Sequence, residues 1–209
     1  MSVDESQLTT LLVGANSAVR SIQCTVVSRA RDVPPEAQEW ASTWAIWQMS
    51  DGRYRVERTK GTAYFDGTTC WTVSLDGTQV FKNPVPLPSF LLKHAITPEW
   101  LHPGVTLTEL GESVFDDRSC LRVDARTPDG ELHYSLTVDQ KTGLILKSRD
   151  ERTGFEFELH DVIVNGDINE DLFRPDLGPD VTVIEPPTRS QGLATLAKAA
   201  VRHYFRRQT

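Results

Sequence analysis

The 209-residue chain lacks the local signatures by which most enzymes and nucleic-acid-binding proteins are recognised. It has no Cys-x-x-Cys pair, no glycine-rich phosphate loop and no metal-ligand spacing among its five histidines. No nucleophile stands in a known catalytic motif. The net charge of -7 argues against nucleic acid as a partner. These absences predict a protein that is not an enzyme and carries no metal or cofactor.

Cysteine is scarce and long apolar runs are missing. Cys24, Cys70 and Cys120 stand far apart among the apolar or small residues of predicted strands, which indicates buried free thiols. No run reaches the ~18 apolar residues that a membrane span needs, so no transmembrane segment is expected. The amino terminus lacks the basic stretch and apolar core of an export signal, so the chain as written is expected in the cytoplasm.

Residues 40–81 contain the strongest local pattern of the chain. Apolar and polar residues alternate in short runs between turn signals, which predicts four short, half-buried strands. An Asp-Gly pair between two such runs predicts a hairpin whose two central residues both have positive φ. Four of the five tryptophans lie in this stretch, so the predicted sheet has one large apolar face. The turn signals are Asp51-Gly52, Lys60-Gly61, Asp66-Gly67 and Asp76-Gly77.

The rest of the chain predicts an amphipathic helix, an apolar insertion and more strands. Residues 5–22 repeat apolar side chains at helical spacing. Residues 83–104 are rich in proline and contain a short apolar helix, so this insertion must lie against something apolar. From residue 105 onward, turn signals recur about every 8–12 residues, which is typical of an antiparallel meander. The fold class is therefore α+β, mainly antiparallel β, with one domain at residues 1–176.

Residues 177–209 form a predicted appendage. Its first part is rich in proline and reads as a linker, and its last part predicts a helix with one apolar and one basic face. One interpretation is that this helix packs on the domain or plugs a cavity. The other is that it binds a partner protein or an anionic membrane surface.

The order of these elements and two short motifs resemble the LolA-like family of lipoprotein carriers. Residues 138–144, Val-Asp-Gln-Lys-Thr-Gly-Leu, are similar to a hairpin common in that group. The group includes the periplasmic carrier LolA, the RseB-type regulators and actinobacterial lipoproteins such as LprG. The resemblance covers residues 6–176. The second motif closes the meander and consists here of Asn165, Asp167, Leu172, Phe173 and Pro175.

The resemblance implies an open half-barrel of about ten meandering strands, with the N-terminal and inserted helices on its concave face. Such proteins hold acyl chains or other lipid groups in that cavity, as carriers or sensors rather than enzymes. They act outside the cytoplasm. The cell envelope is therefore the expected compartment if an export signal has been removed from this chain.

The predicted hydrophobic cavity combines strand residues with the apolar insertion. One curved sheet that faces only a few short helices does not easily fill its concave side, and such a pocket suits lipid tails. The opposite interpretation, a filled core under the protein's own helices, stays open. The predicted lining residues are Trp44, Ile46, Trp47, Val56, Trp71, Val73, Phe90, Leu91, Leu92, Trp100, Leu101, Tyr134, Leu136 and Phe157.

Two functional hypotheses follow from this cavity. The first is non-enzymatic binding of a lipid, an acyl chain or a lipoprotein by a carrier or sensor. The alternative is a regulatory protein-interaction module, in which the helical lid and the C-terminal helix dock a partner protein and the concave face is filled core.

Overall fold

A computed structural model describes residues 4–30, 42–59, 61–83, 101 and 104–185 of the chain. This part of the chain contains one α-helix, α1 (Glu5–Ala18), one short 3-10 helix (Glu170–Phe173) and twelve strands. The strands are β1 (Ser21–Ala30), β2 (Ser42–Met49), β3 (Tyr54–Arg58), β4 (Gly61–Phe65), β5 (Cys70–Ser74), β6 (Gln79–Asn83), β7 (Thr106–Phe115), β8 (Arg118–Arg126), β9 (Leu132–Asp139), β10 (Ile145–Asp150), β11 (Phe155–Val164) and β12 (Thr182–Ile184).

All twelve strands belong to one sheet, in the spatial order β12-β6-β5-β4-β3-β2-β1-β11-β10-β9-β8-β7. β1 lies in the middle and pairs antiparallel with β2 on one side and β11 on the other. β2 to β6 form one antiparallel meander, and β7 to β11 form the other. β12 pairs parallel to β6. Since β12 and β7 lie at opposite edges, the sheet is open and does not close into a barrel.

The mostly antiparallel, open sheet is the one that the sequence predicts, but the strand count differs. The stretch from residue 42 to residue 83 holds five strands where four were predicted. Residues 182–184, which the sequence places in a linker, form β12. The short helix predicted within residues 83–104 and the C-terminal helix lie outside the described residues, as do residues 84–100 and 186–209.

The helix α1 covers one face of the sheet near its β7 edge. The Asp4 carboxylate accepts a hydrogen bond from the Gln7 backbone at 2.8 Å, and the Gln7 side chain accepts one from the Asp4 backbone, so a capping box starts the helix. Leu8 and Leu12 are each 1% exposed and belong to the same apolar cluster as Val26 of β1. We call the face that carries Val26 the helix face and the opposite face the outer face.

The turn between β9 and β10 touches α1 directly. Gly143 has a φ of +73°, and a β-carbon at this position would collide with the backbone carbonyl of Leu11. The glycine of the family-like hairpin therefore has two physical roles. It allows a left-handed backbone, and it lets the helix approach the sheet.

The Asp-Gly hairpin turns form, but their geometry differs from the prediction. Gly52, Gly67 and Gly77 have positive φ, whereas the preceding aspartates do not. The aspartate side chain instead accepts a hydrogen bond from the backbone two residues later, as Asp76 does from Thr78 at 3.1 Å. These are Asx turns, which satisfy the backbone through the side chain. Two successive positive φ values occur in the Asp116-Asp117 turn between β7 and β8.

The motif that closes the meander ties the end of the sheet back to its beginning. The Asn165 side chain accepts a hydrogen bond from the Arg20 backbone at 2.7 Å and donates one to the Ala18 carbonyl at 3.0 Å. Phe173 is 1% exposed, and the Arg53 guanidinium lies 5.5 Å from its ring centre. The residues of this motif therefore hold the end of α1, the start of β1 and the β2–β3 turn in place.

Replacing Gly143 with alanine is expected to destabilise the protein strongly, by about 3 kcal/mol or more, because the new methyl group forces α1 away from the sheet. Gly77→Ala is the matched control. Its φ of +70° is similar, but nothing lies within 4 Å of a β-carbon there, so we expect about 1 kcal/mol. Urea unfolding measures both changes. Equal losses in the two variants would contradict the close packing at Gly143.

Asp66 is expected to make stability depend on acid pH. Burial works against ionisation, but hydrogen bonds from the Thr69 and Thr68 backbones, the Thr68 hydroxyl and the Arg174 guanidinium lower the pKa of Asp66 to about 2. A lowered pKa stabilises the fold above the unfolded-state value, by about 2 kcal/mol, and that stability is lost as pH falls from about 4 to about 2.

The Asp66→Asn variant tests this linkage because it cannot ionise. Its free energy of unfolding should lie below that of the natural protein at pH 7, and the two should converge near pH 2. A constant difference between pH 7 and pH 2 would show that the Asp66 charge contributes nothing.

Candidate hydrophobic binding site

The helix face of the β1–β6 half is lined by apolar side chains from consecutive strands. Cross-strand pairing aligns Ile46 of β2 with Val56 of β3, and Val56 with Ala63 of β4. Ile46 is 3% exposed, and Trp44 on the same face is half-buried. Since paired residues point to the same side of a sheet, these side chains form one continuous apolar surface.

The same apolar surface continues into the other half of the sheet. The pair Ser28 and Phe157 links β1 to β11, and Ser148 of β10 lies between Phe157 and Leu136 of β9. Phe157 and Leu136 are each 4% exposed, and Tyr134 packs partly buried against them in the same cluster. Burial raises the pKa of the Tyr134 hydroxyl. Six of the predicted lining residues thus share one face: Trp44, Ile46, Val56, Tyr134, Leu136 and Phe157.

Three of the predicted lining residues lie on the outer face instead, which corrects their grouping with the others. Trp47 pairs with Arg55 of β3, and both point away from α1. Trp71 and Val73 of β5 pair with Tyr64 and Thr62, which also lie on the outer face. The physical reason is the period of two in a strand, which places Trp44 and Trp47 on opposite sides of β2.

The outer tryptophans belong to a row of aromatic and basic side chains. The Arg55 guanidinium lies 5.5 Å from the Trp47 ring centre and 5.3 Å from that of Tyr64. It also pairs with the Glu57 carboxylate at 2.5 Å. These cation–π contacts give Trp47 and Tyr64 a partner on the outer face, so the aromatic residues of the stretch do not all belong to one cavity.

Four predicted residues, Phe90, Leu91, Leu92 and Trp100, lie outside the described residues. Leu101 is described. It is partly buried and packs against the apolar cluster of the helix face.

The prediction missed several residues of the same face. Tyr54, Phe65 and Cys70 complete the apolar surface on β3, β4 and β5, and the Tyr54 and Phe65 ring centres are 5.8 Å apart. Alternation with Val56 would have identified Tyr54 from the sequence. Arg58 lies at the end of β3, with its guanidinium 5.0 Å from the Trp44 ring centre. Within the described ranges no carboxylate pairs with it.

The described helix is small compared with the face that it lies on. A helix of 14 residues is about 21 Å long. Twelve strands spaced about 4.8 Å apart span about 50 Å. Contacts with β7 and with the Gly143 turn place α1 toward the β7 edge. The apolar face around Trp44 and Phe65, on the opposite side of β1, therefore lies beyond the main packing surface of α1.

A shallow groove of about 280 Å³ lies elsewhere, on the outer face of β8 to β11. Charged side chains line it, including Lys147 and the almost fully buried Glu156, which are 3.4 Å apart. Arg29 also pairs with Glu156 at 2.8 Å. The ion-paired lining of this groove suits water rather than an acyl chain. We therefore place the candidate site on the helix face.

The described residues show no group of three or more histidine, cysteine, aspartate or glutamate side chains that could hold a metal ion. Among the helices in the same ranges, none is long and apolar enough to cross a membrane. The three cysteines are free and buried, as the sequence predicts. Burial raises the pKa of the Cys24 thiol to about 12, and burial followed by the nearby Asp139 charge raises the pKa of Cys120.

Comparison with known proteins identifies the fold. No protein-family model and no curated protein matches the chain. Lipoprotein LppX from Mycobacterium tuberculosis matches with a TM-score of 0.54 and 12% identity over 81% of this chain and 100% of LppX. An uncharacterised conserved protein from Thermus thermophilus matches with a TM-score of 0.53 and 14% identity over 88% of this chain and 100% of that protein.

MucB matches with a TM-score of 0.53 and 23% identity over 87% of this chain. The match spans 65% of the MucB chain, so this chain corresponds to about two thirds of MucB. At these identities the likeness concerns the fold. The chain has a LolA-like fold, which its element order and closing motif predict.

The buried thiols are expected to be unreactive in the folded protein. At pH 8 a thiol with a pKa of about 12 carries almost no thiolate, and the thiolate is the nucleophile. A thiol-reactive dye should therefore label none of the three cysteines until urea unfolds the chain. Leu75→Cys, at a side chain that is 77% exposed, is the control that should react at once. Rapid labelling of the natural protein would contradict the burial.

Proposed function

We propose that this protein binds a lipid or another group with a long apolar part on the helix face of its sheet, without catalysing a reaction. The observation that carries the proposal is the continuous apolar surface from β1 to β5, which extends beyond the packing surface of α1. Trp44 and Phe65 are the half-buried aromatic residues of this surface. Each methylene group of an acyl chain buried there would contribute about 0.8 kcal/mol.

Arg58 supports an amphiphilic ligand with an anionic head group. Its guanidinium lies over the Trp44 ring, at the rim of the apolar surface, and the Arg58 side chain is exposed. A phosphate or carboxylate at this position could pair with the guanidinium while the tail lies along the strands. Fatty acids and phospholipids combine these two features.

The fold supports a role as a carrier or sensor in the cell envelope. One solved structure with this fold is named as a lipoprotein, LppX. The proposed binding site consists of nine strand residues of the helix face and Leu101, which packs against the same apolar cluster. The nine are Trp44, Ile46, Tyr54, Val56, Arg58, Phe65, Tyr134, Leu136 and Phe157. Phe90, Leu91, Leu92 and Trp100 remain part of the proposal as the covering segment.

The test compares two tryptophans of the same strand. Trp44→Asp puts a charge on the helix face and should weaken fatty-acid binding at least tenfold, about 1.4 kcal/mol. Trp47→Asp puts the same charge on the outer face, where Arg55 lies against the ring as Arg58 does at Trp44, and should leave binding unchanged. Displacement of a fluorescent fatty acid measures the affinity, and native mass spectrometry measures co-purifying lipid.

Thermal unfolding followed by circular dichroism checks that each variant folds, and Trp44→Phe should retain binding. Equal affinities of the two aspartate variants would rule out the helix face as the site. If the natural protein purifies empty and gains no thermal stability from fatty acids or phospholipids, lipid binding is wrong. The interaction-module hypothesis would then be favoured.

A further inference from the structure

The two edges of the sheet are built differently. The β7 edge carries a bulge between Glu109 and Gly111, and a second acidic residue, Glu112, follows. A bulge and charged side chains prevent another strand from pairing with an edge. β6 pairs with β5 without a register shift, so it has no bulge, and its one charged residue is Lys82. Its outer edge is covered by β12.

β12 is a weakly held cover. It has three residues, Thr182, Val183 and Ile184, and each of their side chains is exposed. It pairs parallel, which is less stable per residue than antiparallel pairing. Its flanking contacts are a hydrogen bond from the Thr182 backbone to the Thr78 carbonyl at 3.0 Å and an exposed ion pair of Glu185 with Lys82 at 3.5 Å.

Beyond the ion pair of Arg174 with Asp66 at 3.1 Å, the segment that carries β12 has little to hold it on the domain. Phe173 is the last buried residue before it, and no residue from 174 to 185 is buried. A short exposed strand on such a segment belongs to the least stable part of a fold, because releasing it exposes little apolar surface. β6 itself is held firmly, since Val80 is fully buried.

We propose that β12 is a displaceable strand, and that the edge of β6 binds an extended segment of a partner protein by strand addition. The chemistry of the edge describes the partner. Val80 and Phe81 point to opposite faces and pair with Val183 and Ile184, so the partner segment has apolar residues in succession that serve both faces. An acidic residue just beyond them would pair with Lys82, as Glu185 does.

The full chain tests this proposal with a labelled peptide that corresponds to residues 180–186. Thr182→Pro removes the backbone N–H that bonds to Thr78 and so weakens the chain's own strand. We expect this variant to bind the peptide at least tenfold more tightly than the natural protein. Thr182→Val keeps the N–H and should bind like the natural protein. A peptide with aspartate in place of Ile184 should bind none of them.

A disulfide that can be formed and reduced provides a second test of the proposal; we call the oxidised variant the oxidised lock. Gln79 and Thr182 are direct cross-strand partners, so cysteines at both positions can form a disulfide that fixes β12 in place. The oxidised variant should lose peptide binding at least tenfold relative to the natural protein, and reduction should restore it.

Hydrogen exchange supplies a measurement that needs no peptide. The amides of β12 should exchange much faster than those of β5 and β6, and Thr182→Pro should leave the melting temperature unchanged. The proposal is overturned if the peptide binds the oxidised lock and Thr182→Pro equally, if it binds neither, or if β12 and β6 exchange together.

Discussion

The whole sheet depends on the double pairing of β1. This strand follows α1 directly and forms hydrogen bonds to the first strand of one meander and the last strand of the other. Val26, at its centre, is fully buried between Trp44 of β2 and Leu159 of β11. Because residues that lie 125 to 142 positions apart in the chain must meet to form the β1–β11 pair, we expect folding to be slow relative to helical proteins of this size.

The alternation along β1 also sets the chemistry of the two faces. Its even-numbered residues from Ile22 to Ser28 are buried on the helix face, and Arg29 pairs with glutamates on the outer face. Cross-strand pairing of β1 with β2 and β11 extends this separation of apolar and charged faces to both halves of the sheet. An apolar ligand and an ion-paired surface can therefore lie on opposite sides of a layer one strand thick.

The closing motif and the β12 segment show where this organisation ends. The Asn165 side chain accepts a hydrogen bond from the Arg20 backbone, and the Phe173 ring lies against the Arg53 guanidinium. Both residues thus tie the end of the meander to elements that come earlier in the chain. Beyond Phe173 the described chain adds no buried residue and one short parallel strand. The firm part of the fold thus coincides closely with the range of the family resemblance, and the weak part begins where the resemblance stops.

The sequence by itself determined the class of fold. Apolar spacing located α1, Asp-Gly pairs and alternation located most strands, and the Asn165 to Pro175 motif indicated a LolA-like fold, because each signal is local. It also contained enough information to separate Trp44 from Trp47, since three residues along a strand reverse the side.

The tertiary structure decided which side chains of β5 lie on the helix face, because the register between strands sets this. It thereby removed Trp71 from the proposed site. It also decided that residues 182–184 pair with β6, since a three-residue strand has no pattern of its own and forms only where an open edge receives it.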